Sequence, residues 1–95
     1  MANMRIKVLF HGILADWMGA EEGEFALREG SHLGDLLHLI RRRYGGKMPE
    51  QLWDKERNAF ANSVWAMRGN EKILNPNEIL KNGEVIRFLL MQAGG

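Results

Sequence analysis

Leu33, Leu36, Leu37, Ile40 and Tyr44 recur at i, i+3, i+4, i+7 and i+11, one continuous apolar stripe on a single helix. It is the one clear helix of the 95-residue chain. A helix must bury its stripe against another layer, and the flanking segments alternate with the period of strands, so that layer is a sheet. Ser31 is the predicted N-cap, its hydroxyl suited to the free amides of the first turn. Arg41, Arg42 and Arg43 place positive charge in the last turn, and Gly45 is placed to end the helix in the left-handed conformation.

The first strand covers residues 5–11, with Ile6, Val8 and Phe10 on a buried face and Arg5, Lys7, Leu9 and His11 on the other. A connection containing Gly12, Gly19 and Gly23 follows, with room for one helical turn over residues 14–18. Residues 24–27 form a second strand, Phe25 and Leu27 inward, closing a wide hairpin with the first. Beyond the helix, residues 47–62 carry the weakest pattern: Pro49 opens a short helix through Leu52 and Trp53, and the rest is loop. Residues 64–67 are a strand, Gly69-Asn70 a turn and residues 72–74 a short return strand, which Asn75-Pro76 ends. Ile79 and Leu80 form a turn packed under the core, and Lys81-Asn82-Gly83 is a strong turn signal. The last strand, residues 84–90, puts Ile86, Phe88 and Leu90 on one face.

The first and last strands are the most apolar and belong at the centre, adjacent and parallel, joined by a right-handed crossover through the helix. The expected class is therefore α+β, a β-grasp (ubiquitin-like) mixed sheet with one main helix packed across it. Residues 1–95 are read as a single domain, with 91–95 as a flexible C-terminal tail.

Several kinds of chemistry are excluded or disfavoured. The chain has no cysteine, which removes disulfides, thiolate metal sites and a cysteine nucleophile together. A net charge of +1 gives no reason to expect nucleic acid. The longest apolar run, residues 85–91, is interrupted by Arg87 and too short to span a bilayer, so no membrane partner is expected. The first residues lack the pattern of a signal peptide, and a cytoplasmic location is expected. His11, His32 and His38 have no metal-ligand spacing, and no metal or other bound cofactor is predicted. Glu21, Glu22 and Glu24 read as solvated loop carboxylates, and Gly45-Gly46-Lys47 as a helix stop rather than a phosphate loop. The arginine triplet reads first as a solvated helix end. Trp65 is either core or an exposed aromatic on the face away from the helix, where Leu89 and Met91 would neighbour it.

The feature that carries chemistry is the ending, Met91-Gln92-Ala93-Gly94-Gly95. It extends a strand predicted to be central, so a rigid sheet would project a short arm without side chains. Glycine lets such an arm enter a channel too narrow for other residues. The stretch Lys7-Val-Leu-Phe10, the helix, and the closing run from Leu80 through Asn82-Gly83-Glu84-Val85 to Ala93-Gly94-Gly95 resemble the ubiquitin-like sulfur carriers. The members meant are the small subunit of molybdopterin synthase and the thiamine-biosynthesis carrier. Molybdopterin-type carriers often have prolines before the last residues, where this chain has Leu90-Met91-Gln92.

The resemblance implies a carrier protein rather than an enzyme. A separate E1-like adenylating enzyme would use ATP to join AMP to the Gly95 carboxylate, and a sulfur-donating enzyme would convert it to a thiocarboxylate. That group would then donate sulfur in cofactor biosynthesis, molybdopterin ahead of thiamine, with a molybdopterin synthase large subunit as a further partner. Gly95 is then the covalent site, Gly94 the residue giving clearance, and Leu89, Met91, Gln92, Ala93 and Trp65 the partner contacts. Two alternatives remain open: a modifier conjugated through Gly95 to lysines, as ubiquitin is, and a non-covalent β-grasp binding module.

Overall fold

The computed structural model describes residues 3–91. Strand β1, Asn3–Phe10, buries Met4, Ile6, Val8 and Phe10 and turns the alternate side chains outward. It pairs antiparallel with β2, Glu22–Arg28, from Asn3 opposite Arg28 to Leu9 opposite Glu22. Between them lies a short helix α1, Ile13–Met18, with Leu14 and Met18 fully buried. Gly19 closes it in the left-handed region at φ 73°, its N–H reaching back to the Ala15 and Asp16 carbonyls.

The main helix α2, Leu33–Tyr44, buries Leu33, Leu36, Leu37 and Ile40, and Tyr44 completes the stripe half-buried. Its two ends differ from expectation. The N-cap is His32, not Ser31, because the backbone of Ser31 is already committed. Its N–H donates to the Arg28 carbonyl at 3.0 Å and its own carbonyl accepts from Leu80 N–H at 2.9 Å. The Asp35 carboxylate accepts the His32 N–H at 3.0 Å. The first-turn amides of Leu33 and Gly34 donate to the Glu78 and Pro76 carbonyls, so backbone rather than a hydroxyl satisfies them. At the other end Gly45 is right-handed, φ −56°. The N–H groups of Lys47 and Met48 both turn back to the Tyr44 carbonyl at 3.0 Å, and the continued turn buries Met48 beside Arg41.

A 3-10 turn, Glu50–Leu52, follows Pro49. The predicted helix stops there: Trp53 instead begins β3, Trp53–Asp54, which pairs with β4, Ala59–Phe60, as a two-stranded ribbon where loop was expected. The Asp54 carboxylate organises that hairpin. It accepts the N–H groups of Glu56 and Arg57 and the Arg57 Nε–H, the last at 2.7 Å, while Asn58 takes the left-handed conformation at φ 53°.

Strand β5, Val64–Arg68, turns through Gly69-Asn70 into β6, Glu71–Lys72, which is shorter and earlier than predicted. The Ile73 N–H still reaches the Ala66 carbonyl, but Leu74 turns out to solvent and is 82% exposed. Ile79, expected under the core, is 52% exposed, and Leu80 alone is buried. The backbone of Ile79 bridges to His32, so neighbouring side chains point to opposite sides and only one of the two faces inward. Strand β7, Val85–Leu90, lies parallel to β1 and antiparallel to β5, giving the order β2-β1-β7-β5-β6.

An aromatic line crosses the core from Tyr44 to Phe10, Phe88, Phe60 and Trp53, with successive ring centroids 5.2–5.8 Å apart. Arg68 fastens the approach to β7. Its guanidinium donates to the Glu84 carboxylate, to Glu78 at 3.1 Å and to the Ile79 carbonyl at 2.9 Å. Among the described residues no helix is long and apolar enough to cross a membrane.

Candidate carrier terminus and sheet face

The candidate site begins at the end of β7. This strand is held on both sides, Lys7–Phe10 of β1 along one edge and Val64–Met67 of β5 along the other. Beyond Leu90 the ladder continues for one more bond, from the Met91 N–H to the Ser63 carbonyl at 2.6 Å. Gln92, Ala93, Gly94 and Gly95 lie outside the described residues.

Strand registers decide what surrounds that exit. Phe88 lies between Phe10 and Ala66 on the face covered by α2, so Arg87 and Leu89 lie on the other face. There Leu89 is directly opposite Trp65, and Arg87 lies between Leu9 and Met67. Trp65 therefore sits on the uncovered face beside Leu89, half-buried, with the Lys72 ammonium 3.9 Å above its ring. Val85 and Met91 are 40% and 41% exposed. Leu9, Met67, Trp65 and Leu89 thus form a half-buried apolar patch, with Val85 and Met91 at its ends and Lys7, Lys72 and Arg87 around it. Sequence reasoning names Trp65, Leu89 and Met91 but misses Leu9, Met67 and Val85. The alternation within each strand carries that signal, but only the register between strands brings the three together.

The remaining candidate groups do not assemble. Among the described residues no group of three His, Cys, Asp or Glu side chains could hold a metal ion. Glu22 pairs with Lys7 at 3.3 Å across the β1–β2 edge. The arginine triplet is mostly engaged in packing: Arg43 stacks 3.9 Å from the Phe25 ring centroid and donates to the Glu24 carbonyl, while Arg41 lies over Trp53. Two pKa displacements both belong to scaffold ion pairs. The Arg57 side chain holds the Asp54 carboxyl below its usual range, and the Glu84 carboxylate holds Arg68 above its own. Neither lies at the exit of β7. What the described residues bring together at the exit of β7 is the apolar face of Leu9, Trp65, Met67 and Leu89.

No protein-family model matches the chain, and no curated protein matches it in sequence. Solved structures do match. The chain is similar to small archaeal modifier protein 1 (SAMP1) of Haloferax volcanii, at 13% identity and a TM-score of 0.80, over 96% of this chain and 99% of that one. It is similar to Urm1 of Trypanosoma brucei at 16% identity and a TM-score of 0.73, over the whole of both chains. It is also similar to a candidate molybdopterin converting factor subunit 1 of Pyrococcus furiosus, at 23% identity and a TM-score of 0.70, over 94% and 99%. These likenesses establish the fold, a ubiquitin-like β-grasp with a mixed sheet and two helices.

Proposed function

We propose that the chain is a ubiquitin-like sulfur carrier whose working group is the carboxylate of Gly95. The observation that carries the reading is β7: a strand held on both edges, leaving the sheet beside an apolar face, in a sequence that continues to Gly94-Gly95. The likeness to a candidate molybdopterin converting factor subunit supports molybdopterin synthesis as the destination of the sulfur. A thiamine-type destination is the variant within this reading.

A carboxylate resists nucleophilic attack because the attack adds charge to an anionic centre. In the proposed cycle an E1-like enzyme lets a Gly95 carboxylate oxygen attack the α-phosphorus of ATP, with pyrophosphate leaving. The terminal sulfur of a donor enzyme's persulfide then attacks the acyl carbon and expels AMP, leaving an acyl disulfide. A second thiol opens that disulfide, becomes oxidised itself and releases the thiocarboxylate. This soft nucleophile delivers its sulfur at the active site of a synthase large subunit. The chain supplies address and reach: the apolar face of Trp65, Leu89 and Met91 docks, and Gly94 lets the backbone pass a narrow channel.

The test is intact mass of the full chain after incubation with an E1-like enzyme, ATP and a persulfide donor. One oxygen replaced by sulfur, placed on Gly95 by fragmentation and absent from a chain lacking Gly95, is the expected result. A chain that stays unmodified under those conditions overturns the reading. The likeness to proteins described as modifiers favours one second reading, conjugation of Gly95 to partner lysines. Isopeptide-linked adducts in cells, lost on removal of Gly95, would distinguish it.

A further inference from the structure

Strand β2 is the outermost strand on its side of the sheet, and only β1 pairs with it. The register decides which of its backbone groups are spent. The Phe10 N–H donates to the Glu21 carbonyl at 2.8 Å, and bonded pairs recur at every second residue of an antiparallel ladder. Gly23, Phe25 and Leu27 therefore turn their N–H and carbonyl groups to Val8, Ile6 and Met4. The Lys7 N–H agrees with this parity, since it donates the other way, to the Glu84 carbonyl. The backbone groups of Glu22, Glu24, Ala26 and Arg28 thus point away from the sheet. Two of these carbonyls are answered, Glu24 by the Arg43 guanidinium at 2.9 Å and Arg28 by the Ser31 N–H at 3.0 Å. The Ala26 N–H and carbonyl, and the N–H groups of Glu24 and Arg28, have no hydrogen-bond partner among the described residues. They are spaced as the next strand of a ladder requires.

The helix side of this edge is a seam with α2. Two hollows of about 420 Å³ each lie along it and share the half-buried Leu39. One is bordered by Leu27 and His38 and by charges of both signs, Arg28 and Asp35. The other is bordered by Phe25, Ala26, Arg42 and Arg43, with no carboxylate. There the Arg43 guanidinium lies 3.9 Å from the Phe25 ring centroid. Arg42 is exposed and has no carboxylate within ion-pair distance among the described residues. Side chains of an added strand alternate between the two faces of the sheet. Those opposite Leu27 and Phe25 would enter the two hollows, and the one opposite Ala26 would face the other way. The edge thus asks for an apolar residue beside Leu27 and Leu39 and, two positions on, a carboxylate beside Arg42 and Arg43. A second copy of β2 would answer Arg28 with its Glu24 on the outer face, but it would bring two more arginines to the inner one.

We infer that the free edge of β2 docks an extended acidic segment of a partner protein, antiparallel, in the order apolar–any–acidic from its N-terminus. Strand β1 separates this edge from β7, and the site is independent of Gly95, so its failure would leave the carrier reading untouched.

The probe is the capped peptide Thr-Val-Thr-Asp-Thr-Asp, titrated into the isotope-labelled full chain. Saturable amide shifts are expected at Glu24, Ala26, Arg28, Leu39 and Arg42, with the Ala26 amide slowed in hydrogen exchange. Replacing both aspartates by lysine should weaken binding about tenfold. Arg42→Glu, at an exposed helix position, should weaken the acidic peptide about fivefold, the scale of an exposed ion pair, with an otherwise native amide spectrum. Ala26→Pro removes the central donor at an edge position where proline is tolerated, and it should abolish binding. Absence of saturation, shifts confined to Trp65 and Leu89, or equal affinity for the acidic and lysine peptides would each overturn the assignment. So would dimerisation of the chain alone in sedimentation, lost in Ala26→Pro, which gives the edge to a second copy.

Discussion

The hydroxyl of Tyr44, at the end of α2, occupies the space into which any side chain at Gly23 of β2 would project. Gly23 lies opposite Val8 on the inner face of the sheet, and the Tyr44 ring is fixed by edge contacts with Phe10 and Phe25. The space a Cβ would need at Gly23 is filled by the tip of the Tyr44 side chain. Gly23→Ala should therefore cost about 1–3 kcal/mol, the scale of overpacking a filled core. Tyr44→Phe removes the clashing oxygen, so the double variant should recover most of that loss in urea unfolding. Additive losses would show that the two positions are not coupled.

Arg68 serves three acceptors on the segment that leads into β7. Arg68→Ala leaves the Glu84 carboxylate, only 10% exposed, with the Lys81 N–H but without its guanidinium. A loss of about 2 kcal/mol in chemical denaturation is expected. Arg68→Lys should recover little, since one ammonium cannot reproduce a planar fork.

The Asp54 pKa is lowered from its ordinary value of 3.8, chiefly by the side-chain hydrogen bond from Arg57. A depressed folded-state pKa contributes stability above the unfolded value and loses it as pH falls through the folded one. Amide exchange in the β3–β4 hairpin should thus be steady at neutral pH once intrinsic rates are removed, and should quicken below pH 3.8. Asp54→Asn should raise exchange at neutral pH and flatten that dependence.

On the uncovered face, Leu89→Arg and Met91→Asp put charge where the carrier reading requires an apolar contact. Each should slow sulfur loading by tenfold or more, as loss of a central interface anchor does. The melting temperature should fall little for Met91→Asp, whose side chain already meets water. Unchanged loading by both variants would remove this face from the interface.

Gly94→Ala and removal of Gly95 probe the terminus itself. Both variants should unfold like the parent chain, since the described core and ladders are complete without either residue. Gly95 removal should abolish thiocarboxylate formation, and Gly94→Ala should slow adenylation, followed by pyrophosphate release.

Periodicity makes the central architecture legible in the sequence. Ile6, Val8 and Phe10, the α2 stripe, and Ile86 with Phe88 each repeat often enough to name a face, and together they imply the parallel β1–β7 pair. The β3–β4 ribbon is not legible because two-residue strands have no period. Its signal is chemical, an Asp54 followed by acceptable turn residues and an Asn58 able to adopt positive φ. The cap of α2 falls one residue later than the sequence suggests because a hydroxyl at Ser31 competes in sequence with a carboxylate at Asp35. The bonds that exclude Ser31 come from Arg28 and Leu80, one of them far along the chain. A cleft of about 410 Å³ joins residues near 33–37, 57–60 and 72–76, and no local pattern marks such a meeting.

The parallel placement of β1 and β7 has a mechanical consequence. A pull on the chain beyond Leu90, of the kind a partner exerts when it draws the end into a channel, runs along the axis of β7. The bonds to β1 and β5 lie across that axis, so they are loaded in shear and share the force instead of parting one after another like a zipper. The body can be tugged by its end without being unravelled from it.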